Sequence, residues 1–219
     1  MPLTHLLCDL DDTLYAPATR LWPEIGQRIT GYIADRLGLE VEAAAALKRT
    51  YFERYGLTML GLMAEHEIDI DDYLAYVHDV PLAEYIQADP TLNGMLARLP
   101  LRKAIFTNAD AAHAERVMDV LGVRRHFSDV IDILAMGCVP KPQPGAYQAA
   151  LTRLQARPGD VIYADDLPRN LQTARSLGML TVLVRPLDGQ PLPEGVDYQI
   201  GSIHGLERVV AGLMGNYSV

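Results

Sequence analysis

A doubly wound, Rossmann-like parallel α/β sheet, with a small all-helical domain inserted after its first strand, is the architecture this sequence predicts. Three observations carry it. Short apolar runs without polar alternation recur at residues 3–10, 103–106, 130–134, 161–164 and 180–184. Runs that short and that apolar belong to strands buried on both faces. Helical patterns separate most of them, which is the alternation of a parallel sheet. The stretch between the first two runs holds several helices, where a right-handed crossover requires one.

Each element follows from local chemistry. The first run is too short for a helix and stops at Asp9, Asp11 and Asp12. The insertion, residues 17–87, reads as helices at 22–37, 40–55, 58–65 and 70–77, punctuated by Gly38, Gly56 and the segment Asp69-Ile70-Asp71. After the second strand, Asp110 caps a helix that runs to Leu121 and ends at Gly122. Pro144 starts a helix over 146–154, and Pro168 starts one that ends at Leu177 before Gly178. Residues 189–195 form a surface loop ahead of the final elements. The expected division is a core domain of residues 1–16 and 88–219 with a helical cap of 17–87.

Composition sets the bounds. The chain has 219 residues, 49% of them hydrophobic and 21% charged, enough apolar material for a full core and too much for a disordered chain. No run reaches the ~18 apolar residues of a membrane span. The segment Met1–His5 lacks the basic and apolar regions of a secretion signal, so a cytoplasmic protein is expected. Cys8 and Cys138 cannot build a disulfide framework or a C-x-x-C metal site. A formal net charge of −9 disfavours a nucleic-acid polymer as partner, while one local cation can still hold a small anion. Lysine is scarce: Lys48, Lys103 and Lys141 are the only three, and the last sits between two prolines.

The strand ends collect the chemistry. Ligands of open α/β sheets bind outside the carboxyl ends of the strands. There the sequence places Asp9-Leu10-Asp11-Asp12-Thr13, then Phe106-Thr107-Asn108-Ala109-Asp110, then Lys141, then Asp165-Asp166. Any one acid after a strand is an ordinary turn or cap residue. The set is harder to explain structurally. Two carboxylates ~4 Å apart repel by about 4 kcal/mol at an effective dielectric near 20. A divalent cation and a lysine among them relieve that cost. Oxygen-only ligands select a hard ion, and one that also holds a phosphate is Mg²⁺.

These residues resemble the haloacid dehalogenase superfamily of phosphotransferases. Its pattern is Asp-x-Asp-x-Thr after the first strand, a Thr or Ser after the second, a later Lys and a closing acidic pair. Here it reads Asp9, Asp11 and Thr13, then Thr107, Lys141, and Asp165-Asp166, with the helical insertion in the family's place. Within the superfamily the text is most similar to the pyrimidine 5′-nucleotidase-like phosphatases. That likeness rests on Asp9-Leu10-Asp11-Asp12-Thr13-Leu14-Tyr15, Arg54-Tyr55-Gly56, Tyr76-Val77-His78-Asp79, Phe106-Thr107-Asn108-Ala109-Asp110 with His113, and Asp165-Asp166 followed by Arg169-Asn170. Gly145 and Leu167-Pro168 depart from that text at positions outside the catalytic roles.

The resemblance implies a Mg²⁺-dependent hydrolysis of a small phosphate monoester, a nucleoside 5′-monophosphate in this subfamily. Asp9 would be the nucleophile and Asp11 the acid–base residue. Asp9, the backbone carbonyl of Asp11 and Asp166 would hold the metal, with Asp165 acting through water or as a further ligand. Thr107 and the backbone N–H of Asn108 would bind phosphate oxygens, and Lys141 would neutralise charge. Tyr15, Arg20, Tyr51, Arg54, Tyr55, Met59, Leu62 and His78 are the residues placed to read the rest of the substrate. The four-residue spacing of Tyr51 and Tyr55 equally suits packing inside the cap. Thr13 reads as a turn hydroxyl, Asp12 and Asp110 as turn or cap acids, Cys8 as an inert strand residue, Arg169-Asn170 as a brace, and His113 as a partly exposed helix residue.

The expected partner is a small phosphorylated metabolite, with no membrane partner, and the chain is expected to be a monomer or homodimer. A phosphatase or phosphomutase acting on a sugar phosphate is the alternative within the superfamily. A dehalogenase has no need of a second acid such as Asp11. Receiver domains that accept a phosphoryl group as a switch also pair acids with Thr and Lys, but they lack a helical insertion and carry the accepting Asp after a central strand.

Overall fold

The computed structural model describes residues 3–215; Met1 and Pro2 of the N-terminal segment lie outside them. The chain divides into two units, residues 1–19 with 86–219 and residues 20–85.

The first unit is a six-stranded, wholly parallel sheet. Its strands are β1 His5–Cys8, β2 Arg102–Phe106, β3 Phe127–Ile131, β4 Val161–Asp165, β5 Leu180–Val184 and β6 Tyr198–Ile200, in the order β3-β2-β1-β4-β5-β6. The chain builds outward from β1 in one direction, then crosses β1 to build in the other. The point of reversal is where such sheets open a crevice. Register brings Cys8 opposite both Ile105 and Ala164, so the residues that follow β1, β2 and β4 leave the sheet side by side.

Among the described residues, five α-helices accompany these strands: α5 Pro90–Arg98, α6 Ala111–Leu121, α7 Pro144–Leu154, α8 Pro168–Ser176 and α9 Leu206–Gly215. The Asp89 carboxylate caps α5 by accepting from the Leu92 N–H (2.8 Å), with Pro90 in the first turn. The core is apolar on both sheet faces, with Leu6, Leu7, Ile105, Phe106, Ile162, Tyr163 and Leu183 fully buried.

β3 differs from expectation. The sequence run suggested 130–134; the strand is Phe127–Ile131, because β3 is an edge strand that keeps polar Ser128 and Asp129 in its middle. Beyond it the chain turns away, and Asp132 accepts from the N–H groups of Ala111 (2.8 Å) and Ala135 (2.7 Å).

The second unit holds α1 Leu21–Leu37, α2 Val41–Tyr55, α3 Thr58–Glu65 and α4 Ile70–His78. Its interior includes Ile25, Tyr32, Ile33, Ala44, Tyr51, Leu62 and Val77. Gly56 ends α2 at φ 83, a conformation that Cβ-bearing residues avoid. Gly61 lets α3 lie against α2: a Cβ there would stand 2.4 Å from Cγ of Tyr51. Asp69 caps α4, accepting from the N–H groups of Asp71 (2.9 Å) and Asp72 (3.2 Å).

Candidate active site

Asp9 is the first residue beyond β1. Its N–H still donates to the Ala164 carbonyl (2.9 Å), so the backbone stays in the ladder while the side chain clears the sheet edge. Both carboxylate oxygens are held. Lys141 Nζ donates to Oδ1 at 2.7 Å, and Thr13 Oγ1 donates to Oδ2 at 3.1 Å. Thr13 therefore does more than close the turn: its hydroxyl touches the carboxylate that the turn presents.

Lys141 is buried, 3% exposed. Besides Asp9, its ammonium reaches the Phe106 carbonyl (2.7 Å), Asp165 Oδ2 (3.1 Å) and the Tyr163 hydroxyl (3.2 Å). It sits 5.0 Å from the ring centre of Phe106 and 5.7 Å from that of Tyr163, close enough for the ring faces to attract it. The Asn108 side chain fixes the Lys141 backbone from both sides, Nδ2 donating to the Lys141 carbonyl (3.1 Å) and Oδ1 accepting from its N–H (2.9 Å). Thr107 Oγ1 accepts from the Ala109 N–H (3.0 Å), which folds the loop after β2 back on itself.

The acidic pair divides. Asp165 is fully buried and its oxygens are well supplied with donors. Oδ1 accepts from the N–H of Leu167 (2.8 Å) and from Asn170 Nδ2 (3.1 Å); Oδ2 accepts from Lys141, Asn170 Nδ2 (3.0 Å) and the Tyr163 hydroxyl. Asp166 is half-buried. One oxygen each from Asp9, Asp165 and Asp166 lies within 4.8 Å of the others.

Charge at this edge is out of balance. Burial would push the Lys141 ammonium down, and the Asp165 and Asp9 carboxylates overrule it and hold it up. Burial raises the Asp9 carboxyl, Lys141 pulls it back, and Asp165 and Asp166 push it further up. Asp166 is pushed up to about 7 by burial, then by Asp165 and Asp12. Asp12 rises to about 6 by burial and the neighbouring Asp11, and its Oδ1 is buried with no hydrogen-bond partner. Among the described contacts of Asp9, Asp165 and Asp166, the Lys141 ammonium is the cation at hydrogen-bond distance, against three carboxylates. The donor set is all oxygen, so the residues present fit a hard divalent cation. Cys8 is inert here, its thiol pushed up by burial and by Asp9.

Asp11 stands two residues along the same loop. Its Oδ1 accepts from the Tyr15 hydroxyl at 2.6 Å and lies 2.9 Å from His113 Nε2. The His113 side chain is fully buried, which corrects the expectation of a partly exposed helix residue. The helical face carrying Ala114, Val117 and Met118 turns inward, and His113 is drawn in with it. Asp110 caps the same helix as expected, accepting from the His113 N–H (3.3 Å). Asn170 is also a brace, through its contacts with Asp165.

The first unit thus gathers Asp9, Asp11, Thr13, Tyr15, Thr107, Asn108, Lys141, Asp165 and Asp166. Arg20, Tyr51, Tyr55 and His78 belong to the helical unit. There Arg20 is exposed at the start of α1 with φ 64. Tyr51 is buried against Gly61, and its hydroxyl meets Glu65 Oε2 (3.2 Å) and His66 Nε2 (2.8 Å). Tyr55 is half-buried, its hydroxyl donating to Glu65 Oε1 (2.6 Å), with the Arg54 guanidinium 5.0 Å from its ring centre. His78 is buried at the end of α4.

The aromatic bed of Lys141 is a feature of the site that the sequence motifs do not announce. Phe106, Tyr147 and Tyr163 stack edge to face with ring centres 5.2 to 5.9 Å apart. A signal was present: Tyr163 and Asp165 are two apart on one strand and so share a face.

The fold and site define a doubly wound α/β domain whose carboxyl edge gathers three clustered carboxylates and a buried lysine. The chain belongs to the haloacid dehalogenase-like hydrolase family, whose model matches residues 3–178. It is similar to Phosphate metabolism protein 8 of Saccharomyces cerevisiae, 28% identical over 188 residues, 78% of this chain and 58% of that one; the chain therefore spans less than two thirds of that relative's length. It is also similar to a glyceraldehyde 3-phosphate phosphatase of Methanopyrus kandleri, 28% identical over 198 residues that cover 82% of this chain and 83% of that protein. Among solved structures, a HAD phosphatase from Thermococcus onnurineus shares the fold with a TM-score of 0.67 at 18% identity, over 96% of this chain and 99% of that one. No described helix is long and apolar enough to cross a membrane.

Proposed function

We propose that this protein is a Mg²⁺-dependent phosphatase that hydrolyses a small phosphate monoester through an aspartyl-phosphate on Asp9. The observation that carries the reading is the pairing of two differently held carboxylates on one loop. Asp9 is fixed by Lys141 and Thr13 at the edge of the acidic cluster, and Asp11 is held apart from it by Tyr15 and His113. One carboxylate is arranged to attack and the other to move protons.

In the first step an Asp9 oxygen forms a bond to phosphorus as the bond to the leaving oxygen breaks, and Asp11 delivers a proton to that oxygen. In the second, water attacks the phosphorus, its proton passes to Asp11, and phosphate and Asp9 separate. Splitting one displacement into two is the gain of a covalent nucleophile. Proton transfer by a placed carboxyl contributes roughly 10²–10⁴-fold. Lys141 neutralises charge on Asp9 and on the phosphoryl oxygens, and Thr107 and the Asn108 N–H bind those oxygens. Asp9, the Asp11 carbonyl and Asp166 would hold the metal, with Asp165, already supplied with donors, orienting the cluster or acting through water. When bound, Mg²⁺ supplies further neutralisation of the carboxylates and the transferring group.

A nucleoside 5′-monophosphate, a pyrimidine one first, is the substrate class we assign, supported by the resemblance of the Asp9–Tyr15, Arg54–Gly56 and Phe106–Asp110 text to 5′-nucleotidase-like phosphatases. Of the residues expected to read the substrate, Tyr55 is the one we assign to the base. A dehalogenase would have no use for Asp11. The test is a panel of UMP, CMP, dTMP, purine nucleotides, sugar phosphates and a haloacid, with Mg²⁺ and with chelator. Metal-dependent phosphate release, greatest for nucleotides, is expected. Halide release without phosphatase activity would overturn the reading.

A further inference from the structure

We propose that Tyr15 and His113 are positioning residues that set which oxygen of Asp11 carries the transferred proton; this deepens the phosphatase reading and rests on it. Both groups converge on one atom, Oδ1, the hydroxyl of Tyr15 at 2.6 Å and Nε2 of His113 at 2.9 Å. A carboxylate oxygen only accepts, so the ring proton of His113 resides on Nε2 in this contact. An oxygen that accepts two hydrogen bonds does not itself carry the proton. Protonated Asp11 is therefore O–H at Oδ2, and the clamp fixes the rotation of the carboxyl that aims it.

The arrangement is built from rigid parts. Asp11 lies on a loop, next to Asp12 at φ 58, where an unrestrained carboxyl would turn freely. Tyr15 is 6% exposed, and the His113 side chain is fully buried. His113 sits in the first turn of α6, which is pinned at its start by Asp110 on the His113 N–H and by Asp132 on the Ala111 N–H. A proton donor must lie within ~2.6–3.2 Å of its target to act, and misplacement by about an ångström costs up to ~100-fold. Restraint from Tyr15 of the same turn together with His113 on α6, 102 residues away, meets that demand better than the turn can alone.

Tyr15, a candidate for reading the substrate, turns its hydroxyl to Asp11. A purely structural clamp and a positioning clamp make different predictions. The proton matters in proportion to how poor the leaving group is. In the first step, a dinitrophenolate departs without a proton, whereas a benzyl alkoxide requires one.

The experiment compares kcat/KM for dinitrophenyl, nitrophenyl, phenyl and benzyl phosphate, with Mg²⁺, in the full chain and in Tyr15→Phe, His113→Leu and His113→Gln. This ratio reports steps up to transfer to Asp9, so the later attack of water does not enter. Tyr15→Phe and His113→Leu are expected to lose about 10- to 100-fold more on benzyl than on dinitrophenyl phosphate. His113→Gln, which keeps an N–H donor, is expected to recover part of that loss. Folding is followed by circular dichroism and thermal unfolding, and Tyr15→Phe, which deletes one oxygen, carries the test if His113→Leu fails to fold. Equal losses on all four esters, or no loss on benzyl phosphate, would overturn the inference while leaving the phosphatase reading intact. A wild-type chain that hydrolyses none of the esters overturns that reading and the inference with it.

Discussion

Replacing Lys141 by Met removes the one ammonium of the acidic edge while keeping an unbranched side chain of similar length against Phe106 and Tyr163. The structure sets the scale. At an effective dielectric near 20, the contacts at 2.7 Å to Asp9 and 3.1 Å to Asp165 are worth about 6 and about 5 kcal/mol of attraction. Recovered desolvation of the lysine offsets part of this, and orphaning one side of a buried pair costs about 3–5 kcal/mol net, a large share of a domain's ~5–15 kcal/mol. The two acids do not suffer equally. Asp165 keeps Leu167, Asn170 and Tyr163 as donors, whereas Asp9 keeps Thr13 alone among the described hydrogen bonds. Asp9 then escapes by protonation, and its raised carboxyl rises further. A carboxyl raised in the folded state stabilises below its unfolded value and loses that contribution as pH rises. The penalty should therefore be greatest at about pH 8 and shrink towards about pH 5. Urea unfolding of the metal-free protein at both values measures it, and Asp9→Asn added to Lys141→Met should restore most of the loss. A single variant within about 1 kcal/mol of the parent at the higher pH, or a double variant no more stable than the single, would refute the reasoning.

Asp9→Asn should abolish phosphate release on every ester and leave unfolding unchanged or displaced to higher urea, because it relieves carboxylate repulsion; turnover near the parent rate would remove Asp9 from the mechanism. Without metal the protein should lose stability as pH rises from about 4 to about 7, since Asp166, held at about 7 in the folded chain, stays protonated there while the unfolded chain has already ionised. Saturating Mg²⁺ should reverse that loss and raise the thermal midpoint by several degrees, about 2.7 kcal/mol at a hundredfold excess over Kd, and a midpoint indifferent to both would sink the metal site. Ca²⁺ should raise the midpoint too but support little turnover. Tyr51→Ala should cost about 3–5 kcal/mol of stability, because its ring fills the space beside Gly61. Tyr55→Ala should cut kcat/KM for a nucleotide about tenfold and matter far less for acetyl phosphate; equal loss on both would assign Tyr55 to packing.

What could be read from the sequence was the part set by local chemistry. Strands buried on both faces are short and apolar, and the acids that stop them mark the sheet edge, so Asp9, Asp11, Asp165 and Asp166 fell into place from order alone. Lys141 stood out because the chain otherwise uses arginine. What depends on distant partners stayed hidden. The edge strand β3 is half polar and was placed three residues late. Helix α5 carried its Asp-Pro start signal, yet it lay between the insertion and the second strand and went unassigned. The three-residue β6 is too short to show a period; helix α9 does carry one, in Leu206, Val209, Val210, Leu213 and Met214, but no cap or breaker marks its start. Periodicity also says which face of α6 is apolar, but not that His113 on that face meets an acid 102 residues away.

If the phosphoryl group passes through Asp9, the aspartyl-phosphate can be trapped. Asp11→Asn slows the attack of water, and dinitrophenyl phosphate needs no proton to leave. Mixing the two with Mg²⁺, quenching in acid within the first turnover and digesting the protein should therefore yield a phosphorylated peptide containing Asp9 by mass spectrometry. That modification is expected, with its loss on treatment with hydroxylamine and its absence from Asp9→Asn. Stoichiometric dinitrophenol release with no phosphate on Asp9, or phosphate found on another residue, would contradict it.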